Sequence, residues 1–222
     1  MTRPDQDTFA MRAQQGLKHD SSSVRLRAAL AVGTTPDPRY VDLLIERCAV
    51  EPDFSVREML TWALTRHPCA LTVAKLVDEL RSAGAQARSQ ALHTLSKIGD
   101  RRAWPAITRA LLTDADDEVA RSAWRAAVVL VPEGEAAELA SVLATQLGRG
   151  NRETQLSLSR ALIALGEVIM PALQAAMADL DPRVRAHANA TQQLSQDPDA
   201  GFALAIEEAK RVVALGTTGE SG

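Results

Sequence analysis

The stretch DDEVARSAWRAAVVL, residues 116–130, opens on acidic residues suited to cap a helix and continues with small apolar side chains at Val119, Ala123 and Ala127. A spacing of four lays those side chains along one helical face and excludes a strand, whose faces alternate every second residue. Asp116 stands three places before Val119, where a carboxylate accepts from the orphan N–H groups of a first turn. The same arrangement recurs with anchors at Val24, Val56, Ala87, Val119, Thr154 and Val184, at intervals of 32, 31, 32, 35 and 30 residues. Its cap candidates are Ser21, Asp53, Gly84, Asp116, Asn151 and Asp181. A period in that range is too long for a heptad and too regular for an ordinary globular domain, so it marks stacked supersecondary units.

Between these inner helices the sequence predicts outer helices: YVDLLIERC from Tyr40, LTVAKLVDEL from Leu71, WPAITRALL from Trp104, LASVLATQL from Leu139 and MPALQAAM from Met170. The breaks are short, at 34–38, Gly99-Asp100, 132–135, Gly148 to Asn151 and Gly166, and force antiparallel neighbours. The expected fold is all-α, a right-handed α–α superhelix (solenoid) of about six helix pairs. One domain is expected over residues 1–216, with a disordered tail at 217–222. Amphipathic stretches at about 5–19 and 200–215 are expected to complete the first pair and cap the far end.

Segments 21–33, 116–130 and 181–194 resemble the inner-helix signature of HEAT repeats, in particular the short bacterial subgroup first noted in phycobilisome lyases. Pro105 and Pro171 also sit where HEAT outer helices commonly carry a proline. The resemblance covers roughly residues 5–215 and departs most over 150–166, where Thr154-Gln155 replaces Val-Arg. It implies that Arg25, Arg57, Arg88 and Arg185, each directly after an anchor, pair with aspartates of neighbouring repeats such as Asp53, Asp116 and Asp181. It implies little about chemistry, because HEAT arrays serve as scaffolds, regulators, lyases and DNA-repair enzymes.

Composition agrees with close helix packing. Aromatics are only 3% of 222 residues, so the core must be filled by Leu, Ala and Val. A net charge of −3 denies the chain a global basic field, which counts against nucleic acid as a partner. Cys48 and Cys69 have neither CxxC spacing nor the density of a disulfide scaffold, so free thiols and a cytoplasmic setting are expected. The N-terminal residues lack a signal pattern and no run suits a membrane span.

A helix turns about 100° per residue, so positions two, five and six after each anchor face away from positions zero, four and eight. The middle four units thereby offer Glu58, Trp62, His93, Arg121, Trp124, Arg125 and Arg160 as a candidate strip for a protein or peptide partner, with small apolar residues at either end. Trp and Arg are enriched among interface hot spots. The alternative reading buries Trp124 between inner helices and pairs Arg125 and Arg160 with carboxylates on a solvated face, where such pairs are worth little.

The four histidines fall in different repeats, without HExxH or paired-His spacing, and no glycine-rich phosphate loop occurs. No metal, cofactor or catalytic residue is therefore expected. Cys69 with His67 lacks an orienting third group, and Asp114, Asp116, Asp117 and Glu118 suit a helix start better than a cation. The leading expectation is a non-enzymatic scaffold that holds a partner in a concave groove. The alternatives are a HEAT-like alkylpurine DNA glycosylase using Glu58, Trp62 and Trp124, a tetrapyrrole lyase or accessory, and a ligand-sensing accessory of a transcriptional regulator. Nothing in the sequence indicates the oligomeric state.

Overall fold

Four of the six predicted cap residues close the first turn of their helix with a side chain. Asp53 accepts from the N–H of Val56, Asp116 from Glu118 and Val119, Asn151 from Thr154 and Asp181 from Arg183. Ser21 makes no such bond and Gly84 has no side chain to make one. These contacts come from a computed structural model that describes residues 11–197. The stretch expected at 200–215 and the tail at 217–222 lie outside the described residues, as do the first residues of the 5–19 stretch. Every regular element among the described residues is helical.

The chain separates into two compact units after Ile107. In the N-terminal unit, helical residues 11–17 precede α1 (Ser22–Thr34), α2 (Val41–Val50), α3 (Phe54–Arg66), α4 (Cys69–Glu79) and α5 (Ala85–Ile98). The inner helix α3 packs between α1 and α5, with α2 and α4 as outer helices against this row. Its core is aliphatic, with Leu44, Leu60, Leu64, Leu76, Leu92 and Leu95 all buried to 2% exposure or less.

The C-terminal unit repeats that plan. It holds α6 (Arg109–Leu112), α7 (Asp117–Leu130), α8 (Ala136–Ala144), α9 (Arg152–Ala164), α10 (Met170–Met177) and α11 (Pro182–Gln196). Here α9 packs against both α7 and α11, and Trp124, Leu130, Leu143, Leu158 and Leu162 fill the core.

The outer helix expected from Trp104 is corrected. Residues Arg101–Ala106 form a 3-10 segment, and only the single turn α6 follows. Pro105 offers no N–H to an α-helical ladder, and Ile107 instead closes a tight turn by donating to the Trp104 carbonyl at 2.9 Å. The boundary between the units falls at this interruption.

Candidate partner-binding face

The arginine after each anchor has a recurrent task. Arg25 donates to the carbonyls of His19 and Asp20, Arg57 to Glu51 and Pro52, Arg88 to Ser82 and Ala83, and Arg185 to Asp179 and Leu180. Every acceptor lies five or six residues upstream, in the loop that feeds the arginine's own helix. For Arg25, Arg57 and Arg185 this corrects the expected pairing with cap aspartates: the loop carbonyls take that place, and a guanidinium can serve two at once. Arg25 adds a bidentate ion pair to the buried Glu51, with bonds of 2.7 and 2.6 Å. Burial raises the Glu51 carboxyl, but hydrogen bonds from Arg25, the Asp53 N–H and Arg47 outweigh it and hold the group at about 2.

In the fourth repeat the position after the anchor is Ala120, and Arg149 supplies the missing group. It reaches back to the carbonyls of Asp114 and Ala115, the same five-back and six-back positions, and forms an ion pair with Asp117 at 2.8 Å. Gly148 and Gly150, with φ of +81° and +69°, bracket it in a loop that turns through the left-handed region. Gln155, in the fifth repeat, bonds the Gly150 carbonyl at 3.5 Å. The sequence signals for this arrangement were the 35-residue interval and the Gly-Arg-Gly triplet.

The candidate strip divides between the two units. In the N-terminal unit Trp62 is 38% exposed, and its ring lies over Gly33 of α1: a Cβ there would run into the indole and stand 2.9 Å from the Ala63 Cα. Glu58 Oε1 lies 3.0 Å from His93 Nε2, which joins α3 to α5 at the same surface. In the C-terminal unit Arg121 bridges Glu118 at 2.8 Å and Glu153 at 2.7 Å, so it ties α7 to the first turn of α9. Arg125 is exposed and donates to the Ser122 hydroxyl, while Arg160 is exposed on α9.

Trp124 is corrected. It is fully buried, and its indole N–H donates to the Leu112 carbonyl at 2.8 Å. A neighbouring inner helix and α6 both press on the fifth position after the anchor, and Ala29, Thr61, Leu92 and Ser159 at equivalent places are buried too. On the first five inner helices the surface therefore centres on the sixth position, occupied by Leu30, Trp62, His93, Arg125 and Arg160, whereas Ala190 at the same place on α11 is buried. A buried Trp124 also cannot stack on a flipped base, which removes one of the three residues of the glycosylase alternative.

Sequence reading missed a polar cluster in the C-terminal core. The Gly148 N–H donates to His187 Nδ1 at 3.0 Å, which leaves the ring proton on Nε2, 3.0 Å from both the Gln155 carbonyl and the Ser159 hydroxyl. Ser159 in turn meets Thr191 at 2.7 Å, and Thr191 donates to the His187 carbonyl. Burial pushes the imidazole down to about 4, with the Gln155 carbonyl opposing. Both cysteines are free: burial pushes the Cys48 thiol up to about 12, and the exposed Cys69 donates to Asp100 at 3.3 Å. Among the described residues no three His, Cys, Asp or Glu side chains gather as a metal-binding group. No helix there is long and apolar enough to cross a membrane.

No protein-family model and no curated protein matches the sequence. Among solved structures the chain is similar to the karyopherin Kap121p, a HEAT-repeat protein, bound to the extreme C-terminus of the protein phosphatase Cdc14p. The identity is 17% and the TM-score 0.60, over 100% of this chain and 27% of that one. The same karyopherin bound to Nup53p matches at 18% identity and TM-score 0.60, over 99% and 26%. The chain has the HEAT-repeat fold. It spans about a quarter of the length of those karyopherin chains. The complex of CpcE and CpcF of phycocyanin lyase from Nostoc is also similar, at 16% identity and TM-score 0.45, over 90% of this chain and 93% of that one. At these identities the likeness is one of fold, and the function of this chain rests on its own side chains.

Proposed function

We propose that the protein is a non-enzymatic interaction scaffold that binds a protein or peptide partner on the exposed faces of its inner helices. The observation that carries this reading is Trp62, a large aromatic held at 38% exposure across the surface of α1 and α3. Truncating a central aromatic of this kind removes about 2 kcal/mol or more of binding energy from an interface. In the N-terminal unit Glu58 and His93 flank it; in the C-terminal unit Arg125 and Arg160 are the exposed residues at the equivalent position. Arg121 supports the second face from beneath, through its two glutamates. The karyopherin structures offer a precedent for peptide capture on this fold.

The decisive experiment is co-purification from native cells with the wild-type chain and with Trp62→Ala and Arg125→Ala combined. The double variant is expected to lose its partner while its helical signal and melting temperature stay nearly unchanged. A double variant that unfolds, or one that retains every wild-type partner, refutes the assignment. The reading includes one array of repeats over residues 1–216.

A further inference from the structure

On α1, α3 and α5 the third, sixth and tenth residues after each anchor fall within an arc of roughly 60°. That arc carries Arg27 and Leu30 on α1, Met59, Trp62 and Arg66 on α3, and Lys97 on α5, all exposed or half-buried. The overlap of the Trp62 ring with Gly33 and the Glu58–His93 pair link the three helices across this surface.

The cations on the arc lack carboxylate partners. Arg27 donates to the Ser23 carbonyl one turn back, and among the described residues none of Arg27, Arg66 and Lys97 has a carboxylate partner. Glu58 is the carboxylate on this side, and His93 faces it at 3.0 Å. Elsewhere in the N-terminal unit Arg39 meets Asp37, Lys75 meets Asp42, Arg81 meets Asp78 and Arg102 meets Asp100, whereas the exposed Arg12, Lys18 and Arg101 meet no carboxylate among the described residues. In a chain of net charge −3, Arg27, Arg66 and Lys97 surround an exposed Trp and Leu, at 38% and 45% exposure, without a carboxylate partner among the described residues. Complementary potential steers the encounter and selects the partner, while the apolar centre supplies the holding energy.

We propose that this face takes an acidic peptide segment with an apolar anchor. The anchor seats against Trp62 and Leu30, and Asp or Glu side chains on either side of it pair with Arg27, Arg66 and Lys97. This rests on the partner-binding reading above and adds the chemistry of the partner. Nucleic acid fits the face less well: three cations neutralise few phosphates, and an aliphatic centre has no counterpart on a sugar–phosphate backbone.

The test is selection of random twelve-residue peptides on the full chain, followed by anisotropy titration of the enriched sequences. The expected sequences carry net negative charge and a Leu, Phe or Trp. Their affinity is expected to fall about 30-fold in Trp62→Ala and about 10-fold or more in the double reversal Arg66→Glu with Lys97→Glu. The same reversal off the face, at Arg81 and Arg152, is expected to change it less than about twofold, which separates local pairing from net charge. Neutral or basic peptides that Trp62→Ala still weakens would overturn the acidic partner and leave the binding face standing. Peptides indifferent to all the variants, or no enrichment, would overturn both. A duplex oligonucleotide that outcompetes the peptides at these residues would assign the face to nucleic acid instead.

Discussion

Arg149 donates from its guanidinium to the carbonyl of Asp114, 35 residues earlier, at 2.5 Å. In the other repeats an arginine or glutamine directly after the anchor serves the equivalent loop; here that place is taken by the fully buried Ala120, too small to reach. The bond recruits Arg149 from the loop of the next repeat, so α7 and α9 are tied through their loops as well as through their packed faces. Removing it by Arg149→Ala is expected to cost about 2 kcal/mol in denaturant unfolding of the C-terminal unit. Arg149→Lys is expected to recover little, because one ammonium cannot span the Asp114 carbonyl, the Ala115 carbonyl and Asp117 together.

The two tryptophans of the strip are expected to respond oppositely. Trp124→Ala leaves a cavity and an unpaired Leu112 carbonyl, and is expected to cost about 3–5 kcal/mol of stability. Trp62→Ala is expected to cost far less stability and to act on partner affinity. Thermal melting and partner titration of the two variants side by side check this; a Trp62 variant as unstable as the Trp124 variant would place Trp62 in the core.

His187 makes the C-terminal unit acid-sensitive. Its folded pKa of about 4 lies below the ordinary 6.5, so the unfolded chain binds the extra proton between those values. Stability is fully present above pH 6.5 and is expected to fall by on the order of 3 kcal/mol as the pH drops to 4. Protonation would set Nδ1–H against the Gly148 N–H that now points at it. Urea titrations across this window report the slope, and His187→Gln is expected to flatten it.

Glu51 gives the N-terminal unit a second, lower window. Its carboxyl is held at about 2, against an ordinary 4.5, so its stabilisation is present above pH 4.5 and lost as the pH falls towards 2. Arg25→Ala leaves this carboxylate buried with Arg47 as its remaining ion-pair partner, and is expected to cost about 3–5 kcal/mol at neutral pH. The acid transition of that unit is then expected to move upward by at least about one pH unit. An Arg25→Ala protein with an unmoved acid transition would show that Arg47 and the Asp53 N–H suffice.

The repeat beat, the helix starts and the aliphatic core were legible along the chain, because they depend on residues within a few turns of one another. Asp53, Asp116, Asn151 and Asp181 cap the helices they precede, and their position alone makes this possible. Even the acidic run at 114–118 reads correctly as a helix start, with Asp116 accepting from two N–H groups of the first turn. The outer helix at Trp104 failed on a local matter, the missing N–H of Pro105, which the periodic pattern of apolar residues outweighed in the reading.

What the tertiary structure decided is the side each residue serves. Position five after the anchor is inward because an inner helix is pressed by a neighbour and by an outer helix at once, which buries a wider arc than one face; Trp124 therefore went to the core and Trp62 stayed at the surface. Arg149 with Asp114 and His187 with Gly148 are likewise separated by 35 and 39 positions, and their partners follow from loop geometry that no local spacing encodes. Short-range periodicity specifies a helix and its polarity. Which of its flanks meets water depends on the packing of the neighbouring helices.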